Sequence, residues 1–470
     1  MQRTAVLNVV GLTRGLLGAH TPNLNSFISR GHIATITPVF PAVTCSAQST
    51  YLTGLTPTEH GIVGNGWYNR ELAEVQFWKQ SNHLVHGRKI WEELREIIPN
   101  FTCAKLFWWY NMYSTADYSI TPRPMYPADG RKVFDIYTWP FSIRTEIKEE
   151  LGEFPFPTFW GPAAGVKTPQ GEPDAASRWI AESAKWIETR YSPTLNLVYL
   201  PHLDYNLQRY GPSDPRIAED VRAIDRIVGD LISFLTKHGV TVLILSEYGI
   251  TDVKSPIHLN RIFRQNGWLG IKDELGLEML DPGASAAFAV ADHQVAHIYL
   301  KDRSIEKAVA ATLDKVWGVR VLRAGERHEY GINHERAGDL VAVTPEDSWF
   351  TYYYWLEDSV APDFARCVDI HRKPGYDPVE LFIDPRLSVP KLKIATKLLK
   401  KKLGFRMLMD VIPLDGSLVR GSHGIRPTDQ KHHPVFLTNR TDLLGSEEIA
   451  ATDVYHLIRR AVLTGKKESG

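Results

Sequence analysis

Polar side chains that could do chemistry follow short apolar runs at five places in this 470-residue chain. The five groups are Thr44 with Gln48; His202, Asp204 and Gln208; Glu247 and Tyr248 with His258; Asp292, His293 and His297; and Ser422 with His423. Carboxylates, imidazoles and hydroxyls are the groups that bind metal ions and act as nucleophiles. Because loops at the carboxyl ends of strands in an open α/β sheet converge on one crevice, these groups are the first candidates for an active site.

Each group also has a purely structural interpretation. A threonine before a helix is usually an N-cap, an aspartate after a strand often forms a turn, and a lone histidine is usually a hydrogen-bonded structural residue. Thr44 begins a helix-like stretch, where its hydroxyl would lie near free backbone N–H groups that bind an oxyanion. Asp292 and His293 with His297 form the weaker group; positions four apart share a face in a helix or a strand, so this group could ligate a metal ion.

The apolar runs themselves predict a buried sheet. They cover residues 4–10, 32–40, 102–109, 195–200 and 240–246. Runs that are apolar on both faces favour a parallel sheet. Between the last two runs, apolar residues from Val221 to Leu235 recur at intervals of three and four, and Gly239 ends the helix. This βαβ unit predicts an α/β fold in which a large, mostly parallel sheet is sandwiched by helices.

The pattern changes near Gly270. Short strand-like and helix-like runs follow one another at 296–301, 304–316, 319–324 and 339–344. They predict a small α+β cap at 270–347, inserted between two core segments at 1–269 and 348–470. We expect the main sheet to resume after Ser348.

Composition limits the classes of function. The chain has 54 basic and 54 acidic residues, so no global field attracts nucleic acid or an anionic membrane, and neither is expected as a partner. The three cysteines are too few and too dispersed for a disulfide framework, and their odd number suits a reducing compartment. No stretch resembles a signal peptide or a membrane span. The sequence therefore predicts a cytoplasmic globular protein.

One segment departs from this charge balance. Residues 391–406 place leucines at helical spacing, with lysines on the other face. Such a helix could lie against an anionic surface or substrate. A solvated amphipathic helix of a globular domain is the more ordinary interpretation, and it is favoured here.

Five stretches of the chain follow a family pattern in the family's order. They are TPNLNSFISRGHIATITPVFPAVT (21–44), YLTGLTPTEHGIVGN (51–65), YLPHLDYNLQRYGP (199–212), LSEYGITDV (245–253) and GSHG (421–424). The chain thus resembles the type I phosphodiesterase/nucleotide pyrophosphatase branch of the alkaline phosphatase superfamily, from near residue 4 to about residue 437. The resemblance implies an α/β sandwich with a late cap, two divalent metal ions, commonly zinc, and a threonine or serine nucleophile that forms a covalent phospho-enzyme.

The resemblance places the nucleophile on Thr44, ten residues before Gly54 as the motif requires. It implies a first metal position formed by Asp204, Gln208 and His423, in which the glutamine replaces a histidine of the family.

The second implied metal position departs further from the family. Val10 stands where the family has an aspartate, and Glu247 with Tyr248 replaces an Asp-His pair. Asn8 lies on the same strand face as Val10, but its amide is a poor replacement for a carboxylate. Only Thr44 and the longer carboxylate of Glu247 remain at this position.

The changed positions are still polar. Because a dead site has no reason to keep hydrophilic groups at strand ends, an altered site is favoured over a decayed one. Such a site could hold a single ion, or recruit His258 or the Asp292/His293/His297 group as replacement ligands.

The sequence therefore predicts a metal-dependent hydrolase of phosphate mono- or diesters or phosphonates, with a small phosphorylated substrate and zinc as the expected metal. The expected metal-site residues are Asp204, Glu247, His423, Gln208, Tyr248 and His258. Substrate contacts are expected from Gln48, Trp108 and Asn111. The last two belong to the aromatic stretch 107–113, which with Trp139 and Trp160 could wall a pocket or fill the core. The alternative is a non-hydrolytic member that binds a phosphorylated metabolite or a pathway partner. A serine hydrolase is excluded because no Gly-x-Ser-x-Gly elbow is present.

Overall fold

The computed structural model describes residues 1–169 and 171–464. Its strands are β1 Thr4–Val9, β2 His32–Thr37, β3 Gly66–Asn69, β4 Glu74–Phe77, β5 Cys103–Leu106, β6 Tyr118–Pro122, β7 Ile136–Trp139, β8 Leu195–Leu200, β9 Thr241–Leu245, β10 Thr251–Asp252, β11 Ser255–Ile257, β12 Ile271–Glu274, β13 Leu277–Leu280, β14 Ala287–Asp292, β15 Val295–Leu300, β16 Arg320–Leu322, β17 Leu340–Val343, β18 Ser348–Phe350, β19 Gly421–Ser422, β20 Val435–Thr438 and β21 Glu448–Ala450.

The α-helices lie between these strands and at the C-terminal end of the described chain. They are α1 Pro22–Ile28, α2 Thr44–Thr53, α3 Pro57–His60, α4 Ile90–Ile97, α5 Ser142–Leu151, α6 Ala175–Tyr191, α7 His202–Tyr210, α8 Ile217–Lys237, α9 Leu259–Gln265, α10 Glu306–Leu313, α11 Ala324–Glu329, α12 Pro390–Lys402 and α13 Asp453–Leu463. Among the helices described, none is long and apolar enough to cross a bilayer.

The main sheet has nine strands in the order β21-β2-β20-β9-β1-β8-β5-β6-β7. All five apolar runs predicted as strands belong to it, as β1, β2, β5, β8 and β9. Neighbouring strands β9, β1, β8, β5 and β6 run parallel, whereas β20 and β7 run antiparallel to their neighbours. The predicted α/β fold with a large, mostly parallel sheet flanked by helices is confirmed.

The predicted βαβ unit is β8 and β9 with the long helix α8 between them. Val221, Ile224, Val228 and Leu231 of α8 are buried, which is the apolar stripe that the spacing predicted. Gly239 lies just beyond the end of the helix with a φ of 72°, a conformation that glycine adopts without strain.

A second, smaller sheet stands apart from the main one. Strands β14, β15, β17 and β16 form an antiparallel four-stranded sheet, and β12 pairs with β13 in a separate hairpin. These elements lie inside the predicted cap, although its boundaries at 270 and 347 stay a prediction.

The expectation that the main sheet resumes after Ser348 is wrong. Strand β18 begins at Ser348 but pairs with β11, and the main sheet resumes only at β20. The intervening aromatic residues, from Phe350 to Tyr376, pack in the same hydrophobic cluster as the second sheet. The apolar signal after Ser348 therefore belongs to the packing of that sheet.

Candidate functional site

Thr44 lies at the first position of α2, after the loop that leaves β2. Val43 before it has an extended backbone, and every residue of the helix is buried. The Thr44 side chain is placed where the helix dipole favours a negative charge, and Thr44 is only 5% exposed. Its Oγ1 lies 3.3 Å from the hydroxyl of Tyr248, which follows β9.

Asp204 receives hydrogen bonds on both of its carboxylate oxygens. The Tyr248 hydroxyl donates to Oδ1 at 3.0 Å, and the Gln208 amide, one helical turn along α7, donates to Oδ2 at 2.9 Å. The Gln208 carbonyl oxygen in turn accepts from the Tyr376 hydroxyl at 2.9 Å. Because the single Tyr248 proton goes to Asp204, the tyrosine oxygen accepts from Thr44.

Glu247 lies beside Tyr248 at the end of β9 and is held by two amides. Asn8 of β1 donates to its Oε1 at 2.6 Å, and Gln48 of α2 donates to the same oxygen at 2.5 Å. The Gln48 carbonyl oxygen accepts from the backbone N–H of Trp109 at 2.6 Å. Gln48 therefore joins α2, β9 and the aromatic stretch, with both ends of its amide engaged; its expected contact with substrate stays a prediction.

His423 belongs to a column of four rings that are stacked at both ends and tilted in the middle. The centre of its ring lies 3.6 Å from that of Tyr248, at an angle of 6°. The His293 ring centre lies 3.7 Å away at an angle of 39°, and that of Tyr376 lies 3.6 Å beyond His293. Since Tyr248 and Tyr376 also join through Asp204 and Gln208, the stacked rings and the hydrogen bonds close into one continuous network. The His423 Nδ1 donates to the Ala42 carbonyl at 2.8 Å, which leaves Nε2 as the nitrogen able to bind a metal ion.

His293 is oriented by a carboxylate. Its Nδ1 donates to Asp292 Oδ1 at 2.8 Å, and Asp292 also accepts from the backbone and the amide of Asn65, at 2.7 and 3.1 Å. The His293 Nε2 is buried and has no hydrogen-bond partner within the described chain. A histidine held by a carboxylate through one nitrogen, with the other free, is the usual form of a metal-binding histidine.

The structure separates two other sequence candidates from this cluster. His297 has both ring nitrogens engaged, by the Val63 carbonyl at 2.9 Å and the Gly338 N–H at 3.1 Å. His258 lies 2.7 Å from the Thr351 hydroxyl and stacks against Tyr353. Neither contacts Asp204 or His423 in these arrangements, and their roles as metal ligands stay predictions.

The aromatic candidates are mostly buried. Trp108 is fully buried in the main core, and the Asn111 amide donates to the backbone carbonyls of Lys105 and Ile120 at 2.7 and 3.1 Å. Trp139 is 55% exposed on the edge strand β7. Trp160 donates to Glu380 and lies 5.7 Å from Tyr376, so it alone of these residues borders the stacked rings.

Burial sets the protonation of the cluster. It raises the pKa of Asp204 to about 7 and that of Glu247 to about 8, because a charge is poorly solvated there. Burial also lowers the pKa of His423 well below its usual value, and the neighbouring His293 lowers it further. Both imidazoles are therefore neutral, as metal ligation requires, and at neutral pH the two carboxyl groups are partly protonated.

Two residues of the network, Tyr376 and Asn65, were not predicted from the sequence as site residues. Tyr376 lies in no quoted motif, and its role depends on stacking against a histidine 83 positions away. Asn65 ends the quoted stretch 51–65, so its place in the family pattern could have marked it as a site residue.

Two solved structures with the same fold are of proteins named for reactions of phosphorus compounds. The inactive threonine-to-alanine variant of murine ectonucleotide pyrophosphatase/phosphodiesterase 5, in complex with AMP, matches with a TM-score of 0.58 at 15% identity over 99% of this chain and 96% of that one. Phosphonoacetate hydrolase of Sinorhizobium meliloti, in complex with phosphonoformate, matches with a TM-score of 0.60 at 13% identity over 98% and 96% of the two chains. At this level of identity the likeness shows a shared fold.

The family is shown by the sequence. The chain belongs to the type I phosphodiesterase/nucleotide pyrophosphatase family, which it matches over residues 4–377. This confirms the family inferred from the motifs, a family of phosphodiesterase-type hydrolases. An uncharacterized pyrophosphatase/phosphodiesterase of Schizosaccharomyces pombe is 26% identical over 242 residues, which cover 49% of this chain and 41% of that protein. The match thus spans less than half the length of that curated relative.

Members of this family typically depend on divalent metal ions. Across the described residues, no three histidine, cysteine or acidic side chains already form a group that could hold an ion. At Asp204 and His423, however, the unpaired Nε2 of His293 supplies a third donor beside a carboxylate and an imidazole. These three side chains do not form an ion site as they lie, and they would have to turn toward one another to hold one ion.

The position at Glu247 offers fewer donors for an ion. Two amides donate to Glu247 Oε1, and only its buried Oε2 has no partner among the described residues. Val10 is an apolar side chain at the place of a carboxylate. The Tyr248 phenol is neutral, since burial raises its pKa well above the usual value. The residues present therefore support one metal position and not the pair that the resemblance implies.

Proposed function

We propose that this protein hydrolyses phosphate mono- or diesters or phosphonates, with Thr44 Oγ1 as the nucleophile. The observation that carries the proposal is the hydrogen-bonded chain from Thr44 through Tyr248 to Asp204. A hydroxyl at a helix N-terminus, linked to a carboxyl group whose pKa is about 7, is suitably placed to lose its proton as it attacks phosphorus.

Each residue of this hydrogen-bonded series has a defined part in the attack on phosphorus. Tyr248 accepts the Thr44 proton while its own proton is held by Asp204, so the three side chains lower the cost of forming an alkoxide at Thr44. Gln208 and Tyr376 orient Asp204 from its other oxygen. The N-terminus of α2 favours the negative charge of the bound phosphoryl group.

One divalent ion, with zinc as the expected metal, belongs to the proposal. Asp204 and His423 would hold it, with His293 as the third protein ligand. When bound, the ion would neutralise charge on the phosphoryl oxygens of the substrate. The relatives support this proposal, since one is named a pyrophosphatase/phosphodiesterase and another solved structure is of a phosphonate hydrolase.

A panel of nitrophenyl phosphate monoesters, diesters and phosphonates, assayed with metal-free and zinc-loaded protein, tests the proposal. Turnover of at least one class, increased by the metal, is the expected result. The non-hydrolytic alternative instead predicts calorimetric binding of a phosphorylated ligand with no product under either condition. That outcome would refute the proposed activity.

A further inference from the structure

Helix α12 presents an apolar stripe to solvent. Leu392, Leu399 and Leu403 are 63%, 57% and 65% exposed. They follow one another at intervals of seven and four residues, so they lie on one face as the helix ends. An amphipathic helix of a globular protein normally packs such a face against its core. Here the stripe faces outward, which the ordinary interpretation of a solvated helix did not predict.

The helix is held to the protein by its other side. Ile394 packs against a buried cluster that contains Val411 and Ile412. Lys393 and Lys397 both pair with Asp410, and Lys393 Nζ also donates to the Asp410 carbonyl at 3.0 Å. These contacts fix the rotation of α12 and keep the leucine stripe away from the core.

The exposed apolar surface continues beyond the helix. Six exposed apolar side chains form what we call the α12 patch: Leu392, Leu398, Leu399, Leu403, Phe405 and Leu408. Arg406, which follows Phe405 in the chain, donates from Nε to the Asp129 carbonyl at 3.3 Å. That contact brings in a neighbouring loop in which Met125 and Tyr126 are 41% and 59% exposed. An exposed apolar surface of this extent commonly marks an interaction site.

The same region is strongly basic. Residues 390–410 contain six lysines and one arginine against one aspartate, in a chain whose total charge is zero. Lys391 and Lys400 are exposed beside the leucine stripe. A groove of about 390 Å³ runs beside the helix, where Leu392 and Met407 meet Lys393, Lys397 and Lys400. Apolar and cationic groups therefore alternate along one surface.

We propose that the α12 patch docks this protein on the surface of an anionic phospholipid membrane. Leucine and phenylalanine side chains would enter the boundary between headgroups and acyl chains, while the exposed Lys391 and Lys400 pair with lipid phosphates. The expectation of no membrane partner came from the total charge, which hides this local excess. A second copy of the chain is a poorer occupant, because two such basic helices would repel each other.

Vesicle sedimentation of the full chain tests the proposal. We expect binding to an equal mixture of phosphatidylglycerol and phosphatidylcholine, at least tenfold weaker binding to phosphatidylcholine alone, and a loss of binding as salt is raised. The triple variant Leu392→Ser/Leu399→Ser/Leu403→Ser and the double variant Lys391→Glu/Lys400→Glu should each reduce binding at least tenfold. All these positions are exposed, so the thermal melts should match that of the wild type.

Matched controls use exposed residues elsewhere. Leu72→Ser/Leu275→Ser and Lys237→Glu/Lys315→Glu should bind vesicles as the wild type does, because none of these positions belongs to the α12 patch. The proposal is overturned if the wild type binds neither vesicle, or if the leucine variant binds as well as the wild type. It is also overturned if light scattering without lipid shows self-association that the leucine variant abolishes, which would assign the patch to a second copy.

Discussion

At the scale of single residues, Tyr248 determines whether its part of the site can bind a metal ion or forms hydrogen bonds instead. The resemblance places a metal-binding histidine there, but the phenol instead bonds to Thr44 and Asp204 and stacks on His423. A neutral phenol can pass a proton between its neighbours, yet it is a weak ligand for zinc. The substitution therefore shifts this half of the site from metal binding to hydrogen bonding.

Replacing Thr44 with alanine should abolish turnover, because the hydroxyl forms the covalent bond to phosphorus in the proposed reaction. We expect hydrolysis of a responsive nitrophenyl ester to fall by more than about a hundredfold, about 2.7 kcal/mol of barrier. Thr44→Ser should keep measurable activity, and Thr53→Ala, in the same helix, should behave as the wild type. Activity of Thr44→Ala within about tenfold of the wild type would show that water attacks directly.

Metal content should distinguish the two carboxylates. We expect zinc-loaded wild-type protein to retain about one ion per chain after dialysis, since only the Asp204 position has further donors. Asp204→Asn and His293→Gln should each lose that ion, whereas Glu247→Gln should retain it. Elemental analysis gives the stoichiometry without an activity assay. Two retained ions, or loss of metal from Glu247→Gln alone, would contradict this assignment.

At the scale of elements, the ends of neighbouring strands set the distances of the site. Asn8 of β1 and Glu247 after β9 meet because β1 and β9 are adjacent and parallel. The preceding loop and α2 bring Thr44 and Gln48 to the same edge. Strand β5 continues the sheet on the other side of β8 and carries Lys105, a buried amine outside the proposed chemistry.

Lys105 should make stability depend on pH. Burial lowers its pKa to about 7, well below that of an unfolded lysine near 10.4. Between these values the unfolded chain binds more protons, so the contribution of Lys105 to stability is lost as pH falls from about 10 to about 7, by about 1.4 kcal/mol per pH unit. The free energy of unfolding of Lys105→Met, measured in urea, should therefore rise relative to that of the wild type as pH falls across this range.

Two features sharpen that experiment. The Tyr110 carbonyl that accepts from Lys105 also accepts from Asn82 at 3.0 Å, so the variant leaves no unpaired acceptor. Lys237→Met, at the exposed end of α8, serves as the control and should show no such trend. A constant difference between Lys105→Met and the wild type would mean that Lys105 stays charged when folded.

At the scale of the whole molecule, the second sheet completes the site that the main sheet begins. Asp292, at the end of β14, holds both His293 and the Asn65 backbone of the core. The Asn65 side chain in turn accepts from the Cys45 N–H at 3.0 Å, directly after Thr44. The position of Thr44, the proposed nucleophile, thus depends on the docking of the second sheet.

Replacing Asp292 with alanine should weaken that docking. Three buried donors lose their acceptor, and each unpaired buried group costs about 1–3 kcal/mol. We expect the free energy of unfolding to fall by at least about 2 kcal/mol and turnover to fall with it. Asp273→Ala, in the exposed β12–β13 hairpin, should change stability by less than about 0.5 kcal/mol. A stable Asp292→Ala protein would show that other contacts hold the sheets together.

The sequence by itself determined five of the nine strands of the main sheet and proposed several residues of the candidate site. Apolar runs bounded by polar residues identified β1, β2, β5, β8 and β9, because burial on both faces leaves a local pattern. Motif order then assigned Thr44, Asp204, Glu247 and His423, and the structure connects them through Tyr248, Gln48 and shared strand ends.

Only the tertiary structure decided which side chains complete these groups. His293 and Tyr376 join the stack, His297 and His258 lie in other contacts, and the leucines of α12 face solvent. The physical reason is that the spacing of apolar residues predicts which face of a helix or strand is buried. Which side chains that face contacts depends on packing between segments tens or hundreds of positions apart. The same reason explains why the residues after Ser348 were assigned to the wrong sheet.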